Sequence, residues 1–406
     1  MASPDLTQDF KQLTKVHKLG LASDQAYCYD LNAVDGFQID KLQNIASVTK
    51  LLTTLFASEN LDLHKKYVTK LYIAENKLHI EGSLDPYFEE EKMLLLMQAL
   101  NQLGYKSFSE VTFDKNFLFY DLAISQHSII TSEMTRERLA VLFSATASKQ
   151  IKTQWASVLK FAKEEGIELD ANQVPGLLTN SVKIQTVNPL ISKNPIILTH
   201  TSLPLHRLLK SMNVMSKNLV SQNIFNEASQ VQSFDQLMSK LGVDKKTYIV
   251  NNGSGLPIRT ASGRIDNKAT CKTILVIMKG LKDSVVKHNL ALSDIIAVNG
   301  GKDLGSFRER FLKQPETHQA VISKTGTLAI ASTLAGYLLI GDEIPFAILN
   351  NTAQTQAARN FQDQFVSRMF HHLGQSTPMD YQKISIFPWE GDVFLKSQVS
   401  KRLTVH

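Results

Sequence analysis

VISKTGTLAIASTLAGYLLI, residues 321–340, is the stretch of this sequence that decides its fold. It contains Lys324-Thr325-Gly326-Thr327, and Lys-Thr-Gly occurs nowhere else in the chain. Alternation of apolar and small residues is typical of a strand. A lysine followed by small residues brings a positive charge and a bare backbone edge against an extended peptide. A strand that opens at a glycine turn is the simpler interpretation of the same residues.

A second motif, Ser-x-x-Lys, occurs three times, beginning at Ser47, Ser157 and Ser284. Only Ser47 opens an apolar helix directly after an extended segment, and residues three apart share one helix face. Free N–H groups at the helix start would stabilise an oxyanion, and a neutral Lys50 amine would accept the serine proton. The pair predicts a nucleophile and its base, whereas the other two matches are interpreted as exposed helical residues.

Ser-x-Asn is a weaker pattern. Its matches begin at Ser58, Ser192, Ser211, Ser216 and Ser221. A serine and an asparagine after a helix can cap a turn and do nothing else, so the pattern alone does not choose among the five. Ser-x-x-Lys, Ser-x-Asn and Lys-Thr-Gly in this order form the signature of penicillin-recognising acyl-serine enzymes.

The composition, 43% hydrophobic and 20% charged over 406 residues, is typical of a soluble globular protein with two or three domains. A net charge of +6 favours an anionic partner without selecting cell-wall glycan or nucleic acid. No Lys/Arg run is interleaved with aromatic residues, so nucleic acid is not expected as a partner. No apolar run reaches the length of about 18 residues that a membrane-spanning helix needs.

Signals of compartment and of metal binding are weak. The start, MASPDLTQDF, lacks the basic and apolar regions of a secretory signal, which favours a cytoplasmic protein or a mature form given a new start Met. Cys28 and Cys271 fit no zinc pattern, and Cys271 is predicted to be a buried free thiol. His371 and His372 are neighbours that face different sides of a helix, so no metal site is predicted.

Periodicity divides the chain. Residues 47–61 predict a buried helix, whereas residues 63–90 predict short strands with an Asn-Lys turn and a Leu-Asp-Pro turn. Long apolar helices return from residue 196. The simplest partition is a discontinuous main domain, 1–62 plus 196–406, with a smaller inserted domain at 63–195.

The tail VFLKSQVSKRLTVH, residues 393–406, is basic and partly apolar. It is interpreted as an edge strand or a mobile tail, which leaves at most a peripheral membrane contact.

Six segments identify a family when they are taken in chain order. They are IASVTKLLTT, LHIEGSLDPYF, HTSLPLHRLLKSMNVMSKNLVSQNIF, NNGSGLP, VNGGKDLGSFRERF and ISKTGTLAIASTLAGY. Together, from about residue 38 to 370, they resemble the penicillin-binding protein 4 type D-alanyl-D-alanine carboxypeptidase/endopeptidases, the class C low-molecular-mass penicillin-binding proteins of serine peptidase family S13. That family carries His-Thr-Ser-x-Pro-Leu before its Ser-x-Asn, and His200–Leu205 fits, which selects Ser216-Lys217-Asn218.

The resemblance implies roles for the catalytic positions. Ser47 would be the acylated nucleophile and Lys50 its general base. Ser216 would relay a proton to the leaving D-alanine amine, and Asn218 would hold the amide of the stem peptide. Lys324 would hydrogen-bond Ser216 and add positive potential.

The resemblance also implies a substrate-binding strand. Thr325 and Thr327 would bind the terminal carboxylate, with Gly326 between them at the strand edge. The N–H groups of Ser47 and Thr327 would form the oxyanion hole. No cofactor is implied.

The implied fold is α/β (α+β), with a main domain of an antiparallel sheet flanked by helices and a mixed or β-rich insert. The implied substrates are peptidoglycan stem peptides and cross-links, with β-lactam antibiotics as covalent inhibitors. Such substrates lie outside the cytoplasmic membrane, which implies the periplasm. Carboxypeptidase and endopeptidase activity use the same residues, and an open cleft favours both together.

Three departures from the family pattern are visible. Lys217 replaces the usual aspartate of Ser-Asp-Asn, and NGSGLP, residues 252–257, replaces Asp-Gly-Ser-Gly-Leu-Ser, which would alter a loop at the rim of the site. The interval of 169 residues between Ser47 and Ser216 is shorter than is usual in the family. The inner domain of the insert is therefore expected to be absent or reduced.

Two other functions would use related motifs. A class A β-lactamase needs a Glu-x-x-Leu-Asn loop, and residues 219–323 contain none. A catalytically inactive penicillin-binding sensor or cell-wall scaffold would have a decayed site, whereas all the catalytic positions are present.

Overall fold

The computed structural model describes residues 5–121, 129–300 and 302–388. In chain order its α-helices are α1 (Leu6–Val16), α2 (Thr49–Asn60), α3 (Glu90–Gln102), α4 (Ser132–Leu142), α5 (Ser148–Glu164), α6 (Leu205–Met215), α7 (Asn218–Ala228), α8 (Phe234–Lys240), α9 (Cys271–Lys287) and α10 (Thr355–Leu373). Its strands are β1 (Gln25–Asp30), β2 (Val34–Phe37), β3 (Gln43–Asn44), β4 (Val68–Ala74), β5 (Lys77–Glu81), β6 (Ser107–Phe108), β7 (Glu110–Phe113), β8 (Leu178–Thr179), β9 (Val182–Ile184), β10 (Ile196–Thr201), β11 (Tyr248–Ile249), β12 (Ile258–Thr260), β13 (Gly263–Ile265), β14 (Lys268–Ala269), β15 (Val321–Leu328), β16 (Ala331–Ile340) and β17 (Asp342–Asn350).

These elements form two compact units. The first comprises the described residues of Met1–Leu63 and Leu209–Ile384, and the second comprises those of His64–Leu208 and Ser385–His406. The chain passes from the first unit to the second between Leu63 and His64 and returns between Leu208 and Leu209. β10 belongs to the second unit, because it pairs with β4 along its whole length in the sheet of that unit.

The first unit is built on an antiparallel sheet with the strand order β15-β16-β17-β1-β2. On β1, Tyr27 packs against Phe10 of α1 and Phe365 of α10, whereas the next residue, Cys28, is bonded to Cys271 of α9. Successive strand residues face opposite sides of a sheet, so helices cover both faces. The predicted antiparallel sheet flanked by helices is confirmed.

The helix predicted at residues 47–61 is confirmed as α2, and its side chains are buried from Thr49 to Ser58. Its buried hydroxyls are satisfied: Thr53 donates to Gly253 O at 2.7 Å and Thr54 donates to Lys50 O at 2.6 Å. Because buried polar groups need partners, these bonds fix the helix beside the loop that contains Gly253.

The prediction of a free thiol at Cys271 is wrong, because Cys271 forms a disulfide with Cys28. Their Cα atoms lie 5.9 Å apart, within the range that a disulfide bridges. The two residues are 243 positions apart in sequence, so only the packing of α9 on β1 brings them together.

The second unit contains a mixed sheet with the order β10-β4-β5-β7-β9. β4 pairs antiparallel with β10 and β5, whereas β7 pairs parallel with β5 and β9. The predicted Asn-Lys turn joins β4 to β5, with Glu75 and Asn76 at positive φ as in a tight hairpin. At the predicted Leu-Asp-Pro turn, the Asp85 carboxylate accepts the N–H of Tyr87 at 2.9 Å.

The tail predicted at residues 393–406 lies outside the described residues. Among the helices that the structure does describe, none is both long enough and apolar enough to cross a membrane.

Candidate active site

Ser47 lies in a 3-10 turn, Ala46–Val48, that runs directly into α2. The turn is held in an unusual conformation, because Ala46 has φ 46°, a value that non-glycine residues seldom adopt. Gly255 packs against the same turn, and a Cβ at Gly255 would lie 1.9 Å from the Ala46 carbonyl oxygen. Ser47 is half-buried, and its neighbours in the turn are buried. The backbone that carries its hydroxyl is therefore held in place by packing.

The Lys50 side chain is fully buried one turn into α2. Its amine lies 3.2 Å from Ser47 Oγ, 2.7 Å from Asn218 Oδ1 and 2.8 Å from Ser254 O. Three acceptors match the three N–H bonds of an ammonium, and the longest contact is the one to the hydroxyl. In the neutral amine, a lone pair replaces the N–H bond that faces Ser47 Oγ, and it can accept the proton of Ser47.

Two buried lysines shape the electrostatics of the site. Burial, and next the charge of Lys324, lower the pKa of the Lys50 amine well below its usual range. Burial also lowers the pKa of Lys324, to about 7. A neutral amine beside the serine is therefore favoured, as the nucleophile–base interpretation requires.

Strand β15 passes directly beside Ser47, and Gly326 makes this approach possible. A Cβ added at Gly326 would lie 2.9 Å from Ser47 N and 2.2 Å from Thr333 Oγ1. The Thr333 hydroxyl in turn donates to Ile45 O at 3.0 Å, which ties β16 to the residue before the turn. A side chain at position 326 would push the strand away from the serine.

The outer edge of β15 carries the groups that an extended peptide would meet. Near its start, Val321 O accepts the N–H of Asn299 at 3.0 Å and Ser323 N donates to Ala297 O at 2.9 Å. Hydrogen-bonding groups alternate along a strand, so the N–H groups of Thr325 and Thr327 face the same edge. Thr327 directly follows Gly326, the residue that approaches Ser47, and its N–H lies at this outer edge.

The loop at residues 252–257 contributes more than the sequence indicated, because its Ser254 carbonyl accepts a hydrogen bond from the Lys50 amine. Asn252 Oδ1 accepts the N–H of Ser254 at 3.1 Å and that of Gly255 at 2.8 Å. Asn252 Nδ2 donates to Leu256 O at 2.7 Å, which closes the loop. The Ser254 carbonyl is thereby aimed at Lys50, a contact that the departure from the family pattern at this loop does not predict.

Ser216 and Asn218 follow α6, and Asn218 begins α7. Ser216 has φ 57°, which turns the chain sharply between the two helices. Asn218 Oδ1 accepts a hydrogen bond from the Lys50 amine, which places the Ser-x-Asn match at 216 beside the proposed base.

The expected hydrogen bond from Lys324 to Ser216 is not formed among the described residues. The Lys324 amine donates instead to Thr325 O at 2.7 Å. A buried amine needs an acceptor, and the carbonyl of its own strand supplies one.

The other sequence matches lie elsewhere. Ser157 is exposed on α5 as expected, but Ser284 is buried in α9, so its interpretation as an exposed helical serine is wrong. A residue that no motif indicated, Arg359 of α10, donates from Nη2 to Thr327 Oγ1 at 3.1 Å.

Comparison with known proteins places this geometry in a family. The family model described as D-Ala-D-Ala carboxypeptidase 3 (S13) family matches residues 125–371, which is more than half of the chain. The D-alanyl-D-alanine carboxypeptidase of Actinomadura sp. (strain R39) is 24% identical over 195 residues, 45% of this chain. The matched part spans only 35% of that relative's length.

Two solved structures share the fold. Bd3459, described as a predatory peptidoglycan endopeptidase from Bdellovibrio bacteriovorus, has a TM-score of 0.77 at 22% identity, covering 91% of this chain and 98% of its own. Penicillin binding protein 4 (dacB) from Haemophilus influenzae has a TM-score of 0.56 at 14% identity, covering 89% and 99%. The chain belongs to the D-Ala-D-Ala carboxypeptidase 3 (S13) family.

Proposed function

We propose that this protein is a serine DD-peptidase that cleaves D-alanyl bonds in peptidoglycan stem peptides and cross-links. The observation that carries the proposal is the buried Lys50 amine, 3.2 Å from Ser47 Oγ, in a site where its neutral form is favoured. A nucleophile with an adjacent base, beside a strand edge that can bind a peptide, has the parts that acyl transfer needs.

In the first half-reaction, the Ser47 hydroxyl passes its proton to Lys50 as Oγ attacks the carbonyl carbon of the penultimate D-alanine. The N–H groups of Ser47 and Thr327 donate to the oxyanion that forms. The C–N bond then breaks, and Lys50 passes the proton to the leaving amine by way of the Ser216 hydroxyl, two residues before Asn218, so that its amine is neutral again. The product is an ester of Ser47 and a free amine.

In the second half-reaction, water attacks the ester and gives a proton to Lys50. The tetrahedral intermediate collapses, Ser47 recovers its proton, and the stem peptide leaves as a carboxylate. A β-lactam would enter by the same attack, with opening of its ring in place of loss of an amine.

We propose endopeptidase activity alongside carboxypeptidase activity. The division of the chain into two compact units supports an insert without the family's inner domain. Bd3459, which is described as an endopeptidase, matches 98% of its own length to this chain and supports the same view.

We also propose that the protein works in the periplasm. The buried disulfide between Cys28 and Cys271 supports an oxidising compartment, because such bonds are rare in the reducing cytosol.

Digestion of purified muropeptides, read by mass spectrometry, tests the proposal. The wild type is expected to release D-alanine from uncross-linked peptides and to convert cross-linked dimers to monomers, whereas Ser47→Ala does neither. Lys50→Arg is expected to be inactive as well, since a guanidinium does not accept the proton. Full activity of Ser47→Ala would overturn the assignment. Covalent labelling by a fluorescent penicillin without any peptide product would favour the sensor function instead.

A further inference from the structure

Arg359 lies beside the proposed carboxylate-binding strand. It projects from α10, and its Nη2 atom lies 3.1 Å from Thr327 Oγ1. The side chain of Thr327 is exposed, and Arg359 is half-buried. A guanidinium carries five N–H donors in one plane, so a single bond to a hydroxyl leaves most of its donors for another acceptor.

The nearest carboxylate on the same helix is already occupied. Asp363, one turn after Arg359, forms an ion pair with the buried Arg310 at 2.6 Å and accepts the N–H of Phe311 at 3.2 Å. Arg310 also donates to the backbone oxygen of Arg359 at 3.4 Å. Within residues 5–121, 129–300 and 302–388, no carboxylate pairs with the Arg359 guanidinium. Among the described residues its charge therefore has no carboxylate partner, and it can bind an anionic ligand.

The position of this charge matches one group of the substrate. The backbone of Gly326 lies against Ser47, which marks the place of the reacting carbonyl. Thr327 is the next residue along the strand, and its hydroxyl shares a strand face with that of Thr325. The carboxylate of the leaving residue, two bonds from the scissile nitrogen, would lie within reach of both hydroxyls and of the guanidinium.

We propose that Arg359 binds the carboxylate of the residue that leaves in the acylation step, and so makes the enzyme selective for substrates with a free acid there. The inference rests on the proposed function. Thr327 positions the guanidinium, and Arg359 supplies a charge-assisted, planar pair of hydrogen bonds that a hydroxyl alone lacks. The selectivity applies equally to a terminal D-alanine and to a cross-link whose leaving residue carries a carboxylate beside its amine.

A pair of substrates that differ only at this carboxylate tests the proposal. The probes are diacetyl-L-lysyl-D-alanyl-D-alanine and its C-terminal carboxamide, each assayed for kcat/KM with the full chain. Arg359→Gln is expected to lower kcat/KM for the free acid about 10- to 100-fold and to leave the amide within twofold. Arg359→Lys should recover part of the loss, because it restores the charge without the planar fork. Arg368→Gln, an exposed arginine of the same helix, is the matched control and should change neither value.

A binding measurement separates this proposal from the proposed function. In the Ser47→Ala background, calorimetry should show that acetyl-D-alanyl-D-alanine binds more tightly than its amide, and that adding Arg359→Gln abolishes the difference. Equal losses on acid and amide, or no loss on either, would overturn the role of Arg359. If the wild type cleaves neither substrate, the proposed function fails, while the calorimetric comparison still decides whether Arg359 binds the carboxylate.

Discussion

Replacing Gly326 with alanine tests whether catalysis depends on the close approach of β15 to the nucleophile. The added Cβ would lie 2.9 Å from Ser47 N and 2.2 Å from Thr333 Oγ1, whereas ordinary contacts begin at 3.4 Å. The strand must therefore move away from Ser47 N by about half an ångström. Thr333 cannot turn aside without losing its 3.0 Å bond to Ile45 O.

The expected effect follows from what the strand carries. Thr327 N–H is one of the two proposed oxyanion donors, and loss of one such donor slows acyl transfer by about 100- to 1,000-fold. We expect the Gly326→Ala variant to be acylated about 100-fold more slowly, and to lose about 1–3 kcal/mol of free energy of unfolding through overpacking.

The assay is the second-order rate of labelling by a fluorescent penicillin, followed on gels below the melting temperature of each variant. Gly176→Ala is the matched control, because a Cβ there meets no atom within 4 Å, and its rate should equal that of the wild type. Circular dichroism melting reports the loss of stability independently. Labelling of folded Gly326→Ala within threefold of the wild-type rate would refute the reasoning.

Three other substitutions have defined outcomes. Lys324→Met removes a positive charge that lowers the pKa of Lys50, so the pKa rises and the increase of acylation rate with pH moves to higher pH; an unchanged profile would contradict the coupling. Asn252→Asp places a negative charge in the loop that contacts Lys50 and should raise the pKa of Lys50, so the increase of acylation rate should again move to higher pH. A shift of that increase to lower pH would contradict the argument. Cys28→Ser breaks the bond to Cys271 and should lower the free energy of unfolding by about 2–5 kcal/mol in denaturant melts, and no change would show that the disulfide does not constrain the fold.

Local geometry explains which parts of the site could be predicted from the sequence. Ser47 and Lys50 are one helical turn apart, so their spacing alone brought them together, and the alternating pattern of residues 321–340 indicated the strand. Contacts between segments that are far apart in sequence could not be predicted from the spacing of residues. Lys50 meets Ser254 across 204 residues, and the approach of β15 to Ser47 depends on how the sheet and α2 pack.

Arg359 and the disulfide were missed for the same reason. Arg359 belongs to no motif, and its meaning comes only from the packing of α10 beside Thr327. Cys28 and Cys271 follow no short-range pattern, so sequence could neither pair them nor reject the pairing.

Buried lysines elsewhere in the chain show what a structural role looks like. Lys210 donates to the Asp303 carboxylate at 2.7 Å and to two carbonyl oxygens, and both charged groups are buried. Lys92 pairs in the same way with the buried Asp85. A buried ammonium with a carboxylate partner keeps its charge compensated, and removing either partner would leave an uncompensated buried charge.

Lys50 and Lys324 are arranged differently. Both are buried, yet among the described residues neither meets a carboxylate, and each accepting partner is a neutral hydroxyl, amide or carbonyl oxygen. Two uncompensated ammonium groups in one buried site would repel each other and would have lost their hydration. The arrangement therefore favours loss of a proton from Lys50, which is costly for a structural lysine and necessary for a base. Among the buried lysines that the structure describes, the missing counter-ion is what distinguishes the proposed catalytic pair, Lys50 and Lys324, from Lys92 and Lys210.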